Sequence, residues 1–279
     1  MAVSEQLRTL VEQMPNADGR GMYCTDIDKD KIEKAIAEIH KGGKENILGL
    51  IEMLDQPGSD KDVKPHYALQ CLANYVLQSR AEQARCDLAE VLAGQLGSDR
   101  SKYIRGYLCQ ELQWAGRREA CPALGKLLCD DDLSAPASMA LVAIDEGAAE
   151  QFRAAIATAK GSCKLNVVQG LGAVGDKQSI PVLLALLADE DREIRLAAGW
   201  GLARMGEASA VDALIKAAGV PDGWERIEAT KHCLVLAEKL AAAGDKTGAG
   251  KIYSYLRDSR KDAHEKYVRD LAEKALAAT

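Results

Sequence analysis

The sequence predicts an all-α chain, an α-solenoid of about seven stacked helix pairs with N-terminal capping helices. Three observations carry this. In the stretch 175–206, Ile180, Leu183, Leu184 and Leu187 fall at i, i+3, i+4 and i+7, the spacing of one buried helix face. After the acidic turn Asp189-Glu190-Asp191, a second stretch with Ile194, Ala198, Gly201, Leu202 and Met205 repeats the pattern. Weaker copies recur along the chain, with Leu112, Leu141, Leu171 and Leu202 at one equivalent position, spaced 29, 30 and 31 residues apart. Neither helix of a pair folds alone with an apolar stripe exposed, so such units come in series.

Composition agrees. The 279 residues include one phenylalanine, Phe152, and seven prolines, which favours helices over β structure. A formal net charge of −6 argues against broad nucleic-acid binding, which calls for a basic surface. The N-terminus has no apolar core behind a basic head, and no stretch approaches about 18 uninterrupted apolar residues. Neither a signal peptide nor membrane insertion is therefore expected. The eight cysteines show no CxxC and read as reduced, small hydrophobes of a cytoplasmic protein.

Residues 1–43 are expected to form an N-terminal helical cap and residues 44–279 the solenoid. The cap holds helices over 4–14 and 28–41, joined by a loop from Asn16 to Gly21. The run Asp26-Ile27-Asp28-Lys29-Asp30 has the start of a calcium loop, but Lys31 replaces the turn glycine and Ala37 the bidentate glutamate. It is read as negative charge at a helix N-terminus. First and second helices then follow at 44–55 and 64–79, 81–97 and 100–115, 117–130 and 133–146. The remaining pairs are 147–160 and 162–174, 176–188 and 191–205, 207–219 and 222–243, and 245–258 and 261–278. Gly116, Gly147, Gly175, Gly206 and Gly244 punctuate the joins. Pro181 suits the first turn of its helix, and Asp189 and Asp191 can cap the next one.

Seven residues before the repeated leucine stands an arginine after an aliphatic residue, at Ile104-Arg105 and Ile194-Arg195; Val268-Arg269 repeats the dipeptide, Arg226 and Lys164 match loosely, and Ser134 departs. With the helix pairs, this pattern resembles the HEAT-repeat family over roughly 44–279. The resemblance implies a stack on the order of 70 Å long, with second helices lining its inner side. It also implies that Arg105, Arg195 and Arg269 form a structural ladder with acidic turn residues such as Asp189 and Asp191. It transfers fold, not activity.

The search for chemistry finds no catalytic residue, no metal site and no cofactor. The four histidines lack ligand spacing, and His264-Glu265 is a single pair where the iron hydroxylases of this family use several. No GxSxG elbow or phosphate-binding glycine loop occurs. One feature stands apart. Tyr103, Tyr107, Gln110 and Trp114 form a second stripe on helix 100–115; in register, Gln169 and Trp200 match Gln110, and Arg204 matches Trp114. This ridge either anchors a partner or packs between neighbouring helices, and packing is the preferred reading because stacked helices bury more than one face. Arg100, Lys102, Arg105, Arg117 and Arg118 would allow phosphate contacts, yet Asp99, Glu111 and Glu119 interrupt them. The expected function is a non-catalytic scaffold or adaptor for another protein. The alternatives are a lyase-like protein or accessory subunit handling a tetrapyrrole, as family members that attach bilins do, and a nucleic-acid-binding protein.

Overall fold

The computed structural model describes residues 3–18, 24–25, 27–59, 61–221 and 223–278, and the chain divides into two compact units, Met1–Ala155 and Ile156–Thr279. The first unit contains α1 (Glu5–Val11), α2 (Lys29–Lys41), α3 (Gly43–Met53), α4 (Val63–Gln78), α5 (Glu82–Gln95), α6 (Lys102–Ala115), α7 (Cys121–Gly125), α8 (Ser134–Ile144) and α9 (Ala148–Ala155). The second contains α10 (Gly161–Val174), α11 (Ile180–Leu186), α12 (Arg192–Met205), α13 (Val211–Ala217), α14 (Trp224–Ala242), α15 (Lys246–Ser259) and α16 (Lys266–Ala278).

Packing alternates as a solenoid of helix pairs requires. In the first unit α3, α5, α7 and α9 form one row and α4, α6 and α8 the other, with α1 and α2 against α3 and α4. In the second unit α10, α12 and α14 form a row, α11 and α13 pair with α12 and α14, and α15 packs on α13, α14 and α16. Leu112, Leu141, Leu171 and Leu202 are all fully buried, which is why the repeat is legible at that position. Side-chain caps start the helices where the sequence places polar residues. Ser101 Oγ accepts from the Ile104 N–H at 3.3 Å, and Asp191 Oδ1 from the Glu193 N–H at 2.8 Å. Gly175 and Gly206 end α10 and α12 at φ 66° and 69°, left-handed geometry that a side chain would strain.

The fold departs from expectation in three places. The first helices expected at 117–130, 176–188 and 207–219 are each a 3-10 turn followed by a shorter α-helix of five, seven and seven residues. Pro122 and Pro181 supply no N–H, so each sits at the start of its α-helix, with the tighter turn ahead of it. In α11, Leu183 and Leu186 are buried, while Leu184 and Leu187 line a slot of about 310 Å³ between α11–α12 and α13–α14. Asn16 and Ala17 pair antiparallel with Thr25 and Cys24 where a loop was expected, residues 19–21 of that loop lying outside the described residues. Asp26 and Asp222 also lie outside them; Asp28 caps α2, accepting from the Lys31 N–H at 3.1 Å.

Two neighbouring helices of one row, α10 and α12, approach closely where both lack side chains. A Cβ added at Gly172 would lie 2.8 Å from the Gly201 Cα and 3.0 Å from the Trp200 ring. Backbone cannot yield as a flexible side chain can, so Gly172→Ala is expected to destabilise the protein by about 2 kcal/mol. Gly250→Ala, on α15 with open space around it, should instead stabilise by roughly 0.5–1 kcal/mol. Urea denaturation of both variants checks the pair; an unchanged midpoint for Gly172→Ala would remove the close-approach argument.

Candidate functional site

Where a repeat carries the marker arginine, that arginine closes its own turn. Arg195 Nη1 donates to the Asp189 and Glu190 carbonyls at 2.7 and 3.0 Å, and its other nitrogens hold both Glu225 oxygens at 2.7 and 2.8 Å. Arg226 repeats this with the Val220 carbonyl at 3.2 Å and Glu265 at 2.7 and 3.1 Å. Arg105 reaches the Leu96 carbonyl at 2.7 Å, and Arg269 the carbonyls of Arg260 and Asp262. The ladder therefore differs from the one expected. The arginines take the turn's carbonyls, because the end of a helix leaves those acceptors free, and Arg195 and Arg226 add a carboxylate from the next repeat. The Asp189 carboxylate instead receives Lys164 and the Asp191 N–H. Glu265, one half of the His264-Glu265 pair, belongs to this scaffolding.

The ridge residues separate into two groups. Gln110, Gln169 and Trp200, two residues before the repeated leucine, are exposed. Met139 shares that register at 55% exposure; its distance from Leu141 places it, but an apolar residue gave no polar signal to single it out. Two residues after the leucine, Trp114 is 56% exposed and Arg204 is exposed. These columns carry exposed side chains, so the expected packing between helices does not account for Gln110, Trp114, Gln169 or Arg204; it holds in part for Trp200, whose ring lies over Gly172 of α10. Packing does hold for Tyr107. Its hydroxyl donates to the His66 carbonyl at 2.7 Å and its ring lies 4.3 Å from the His66 ring, while Tyr103 stays largely exposed 5.8 Å from that same ring.

Beneath Tyr107 lies a polar cluster that the sequence reading missed. Glu111 is fully buried, not part of a solvated charge run, and neither of its oxygens has a hydrogen-bond partner. Tyr107 has already committed its hydrogen to His66. Burial pushes the Glu111 carboxyl up to about 7, opposed in part by the neighbouring Tyr107. His66 Nδ1 lies 2.7 Å from the Asp62 carbonyl and 2.9 Å from Asp62 Oδ1, one nitrogen facing two acceptors. His66 Nε2 and Asp62 Oδ1 complete the set of buried side-chain atoms without a partner among the described residues. The signal for Glu111 was present, since 108, 111, 112 and 115 follow helical spacing on the buried face of α6.

The second unit holds an open groove between α12 and α14, about 410 Å³, lined by Trp200, Ala203, Arg204, His232, Val235 and Lys239. The Arg204 guanidinium lies 5.5 Å from the Trp200 ring centroid. His232 is buried between this groove and the slot of the neighbouring repeat, and burial pushes its pKa down to about 4, so it is neutral. Four of the five basic residues weighed for phosphate contacts in the first unit, by contrast, are engaged by carboxylates. Arg100 pairs with Glu52, Lys102 with Asp130 and Asp132, Arg117 with Glu82 and Arg118 with Glu146. No group of three or more potential metal ligands occurs among the described residues. No helix among them is long and apolar enough to cross a membrane.

Residues 149–234 match the HEAT repeats family. Among solved structures, the chain is similar to the CpcE–CpcF complex of phycocyanin lyase from Nostoc sp. PCC7120, with 20% identity over 82% of this chain and 94% of that one and a TM-score of 0.43. It is also similar to an archaeal HEAT-like repeats protein from Thermococcus onnurineus NA1, with 9% identity over 99% and 98% of the two chains and a TM-score of 0.40. Human deoxyhypusine hydroxylase gives 13% identity over 99% and 96%, with a TM-score of 0.35. Likenesses this distant say nothing of activity or ligand. No curated protein matches the chain in sequence.

The buried carboxyl makes stability depend on pH in a defined direction. Between the ordinary carboxylate value of 4.5 and about 7 the folded chain holds a proton at Glu111 that the unfolded chain has released, so stability falls as pH rises through that window. Glu111→Gln should remove this slope and gain on the parent by up to about 3 kcal/mol at the upper end. Denaturant melts of both proteins across the window test it, and parallel curves would refute it.

Proposed function

Given a chain whose residues 149–234 match the HEAT repeats family, we propose that it is a non-catalytic scaffold that binds a partner protein through exposed side chains of its second helices. One observation carries the reading. Among the described residues, the exposed large apolar side chains other than Ile27 all lie on α6, α8, α12, α14 and α16, and none on a first helix. Exposed indoles at Trp114 and Trp200 and the Met139 thioether in register with Trp200 hold burial energy that a partner would release, at about 25 cal/mol per Å². Engagement of Arg100, Lys102, Arg117 and Arg118 by carboxylates favours a protein over a nucleic acid, because ion-paired side chains release few counterions from phosphate. We place the protein in the cytoplasm, where its eight free cysteines stay reduced.

Affinity capture from the native cell with the full chain as bait tests this, read by mass spectrometry. A specific partner should be retained by the parent and by Lys177→Ala, an exposed change beside a first helix. It should be lost, by about tenfold or more, on Trp114→Ala or Trp200→Ala. Equal recovery with all the variants would place the partner elsewhere.

A further inference from the structure

The groove between α12 and α14 sets two cations in one wall, where several other basic residues of the unit are held by acids, Arg195 by Glu225, Arg226 by Glu265 and Lys251 by Asp212. Arg204 and Lys239 both line the groove, and no carboxylate joins them in its wall. Both are exposed. In a chain of net charge −6, two neighbouring cations without an acid are a departure that the stack does not require.

Their geometry suits a carboxylate. The Arg204 guanidinium carbon lies at cation–π distance from Trp200, and no ion pair among the described residues takes its N–H fork, which is left available for bidentate contact. The Lys239 stem lies along Gly206, whose added Cβ would meet it at 3.4 Å, so its ammonium is presented from a supported chain. Between the two, the Trp200 ring, Ala203 and Val235 offer apolar contact, with Val235 40% exposed. The neutral His232 adds a polar group to the wall without adding charge.

We propose that this groove binds an acidic peptide segment of the partner, its carboxylates on Arg204 and Lys239 and an apolar side chain between them on Trp200 and Val235. The inference rests on the reading that the second-helix face receives a protein. Two cations around an apolar floor fit a short acidic motif better than a nucleic-acid strand, which needs a track of cations along its backbone.

The test is fluorescence anisotropy of the full chain with a fluorescein-labelled peptide carrying one phenylalanine between pairs of glutamates. Saturable binding that weakens with salt is expected, reduced about tenfold by Arg204→Glu and again by Lys239→Glu. The same peptide with lysines for glutamates should recover binding to the double variant, a rescue that misfolding cannot produce. Absence of saturable binding, equal affinity for parent and double variant, or equally tight binding of an oligothymidine would each overturn the proposal. Partner capture lost on Trp200→Ala with no acidic-peptide binding removes this inference and leaves the surface; capture unaffected by Trp114→Ala and Trp200→Ala removes the surface itself.

Discussion

The architecture depends on how the turn inside each helix pair is held. A helix that stops leaves its last carbonyls without N–H partners, and a turn cannot satisfy them all from its own backbone. Arg195, Arg226, Arg105 and Arg269 supply the missing donors. A planar guanidinium with five donors can serve carbonyls and a carboxylate together, which an ammonium point charge cannot. Arg195 therefore fixes its own turn and grips Glu225 thirty residues on, and Arg226 does the same with Glu265. Lys164, at the same position, reaches Asp189 alone. At Arg195 and Arg226 one side chain is thus both the cap of one repeat and the clasp to the next.

A second constraint works on the side of the leucines. Gly172 and Gly201 bring α10 and α12 into backbone contact, so the neighbouring Trp200 cannot enter between them and lies over Gly172 instead. Close approach on one face thereby pushes a large side chain to the edge of the next. Part of the Trp200 ring is packed and part remains open, which gives this tryptophan a role in the stack as well as on the surface.

Much of this was legible. A period of 3.6 within helices and of 29 to 31 residues between them located nearly every helix, because stacking imposes both. What was not legible depends on contacts far apart in the chain. Arg260 is fully buried, with Thr230 and the Ala218 carbonyl as partners at 2.8 to 3.0 Å, and nothing local marks it. Tyr107 and Trp114 share a sequence stripe yet part ways, since Tyr107 meets His66 of α4 while Trp114 lies at the open end of α6. Glu111 was misread for a different reason: its charge was weighed against sequence neighbours when its register already placed it on the buried face.

Glu111 and Arg260 show what a stack of this kind tolerates. Both are ionisable and both are fully buried. Arg260 is surrounded by acceptors from three segments, so its burial is compensated bond by bond. Glu111 meets no donor, and its oxygens can be accommodated near neutrality only by keeping a proton, which can then be offered to the Tyr107 oxygen. A buried departure from the repeat must be neutralised or paired, because its cost falls on folding. A surface departure carries no such penalty. Arg204 lies beside Trp200 and is exposed, so the stack neither needs it nor resists it, and the charge it sets beside an exposed indole is left for a ligand to satisfy.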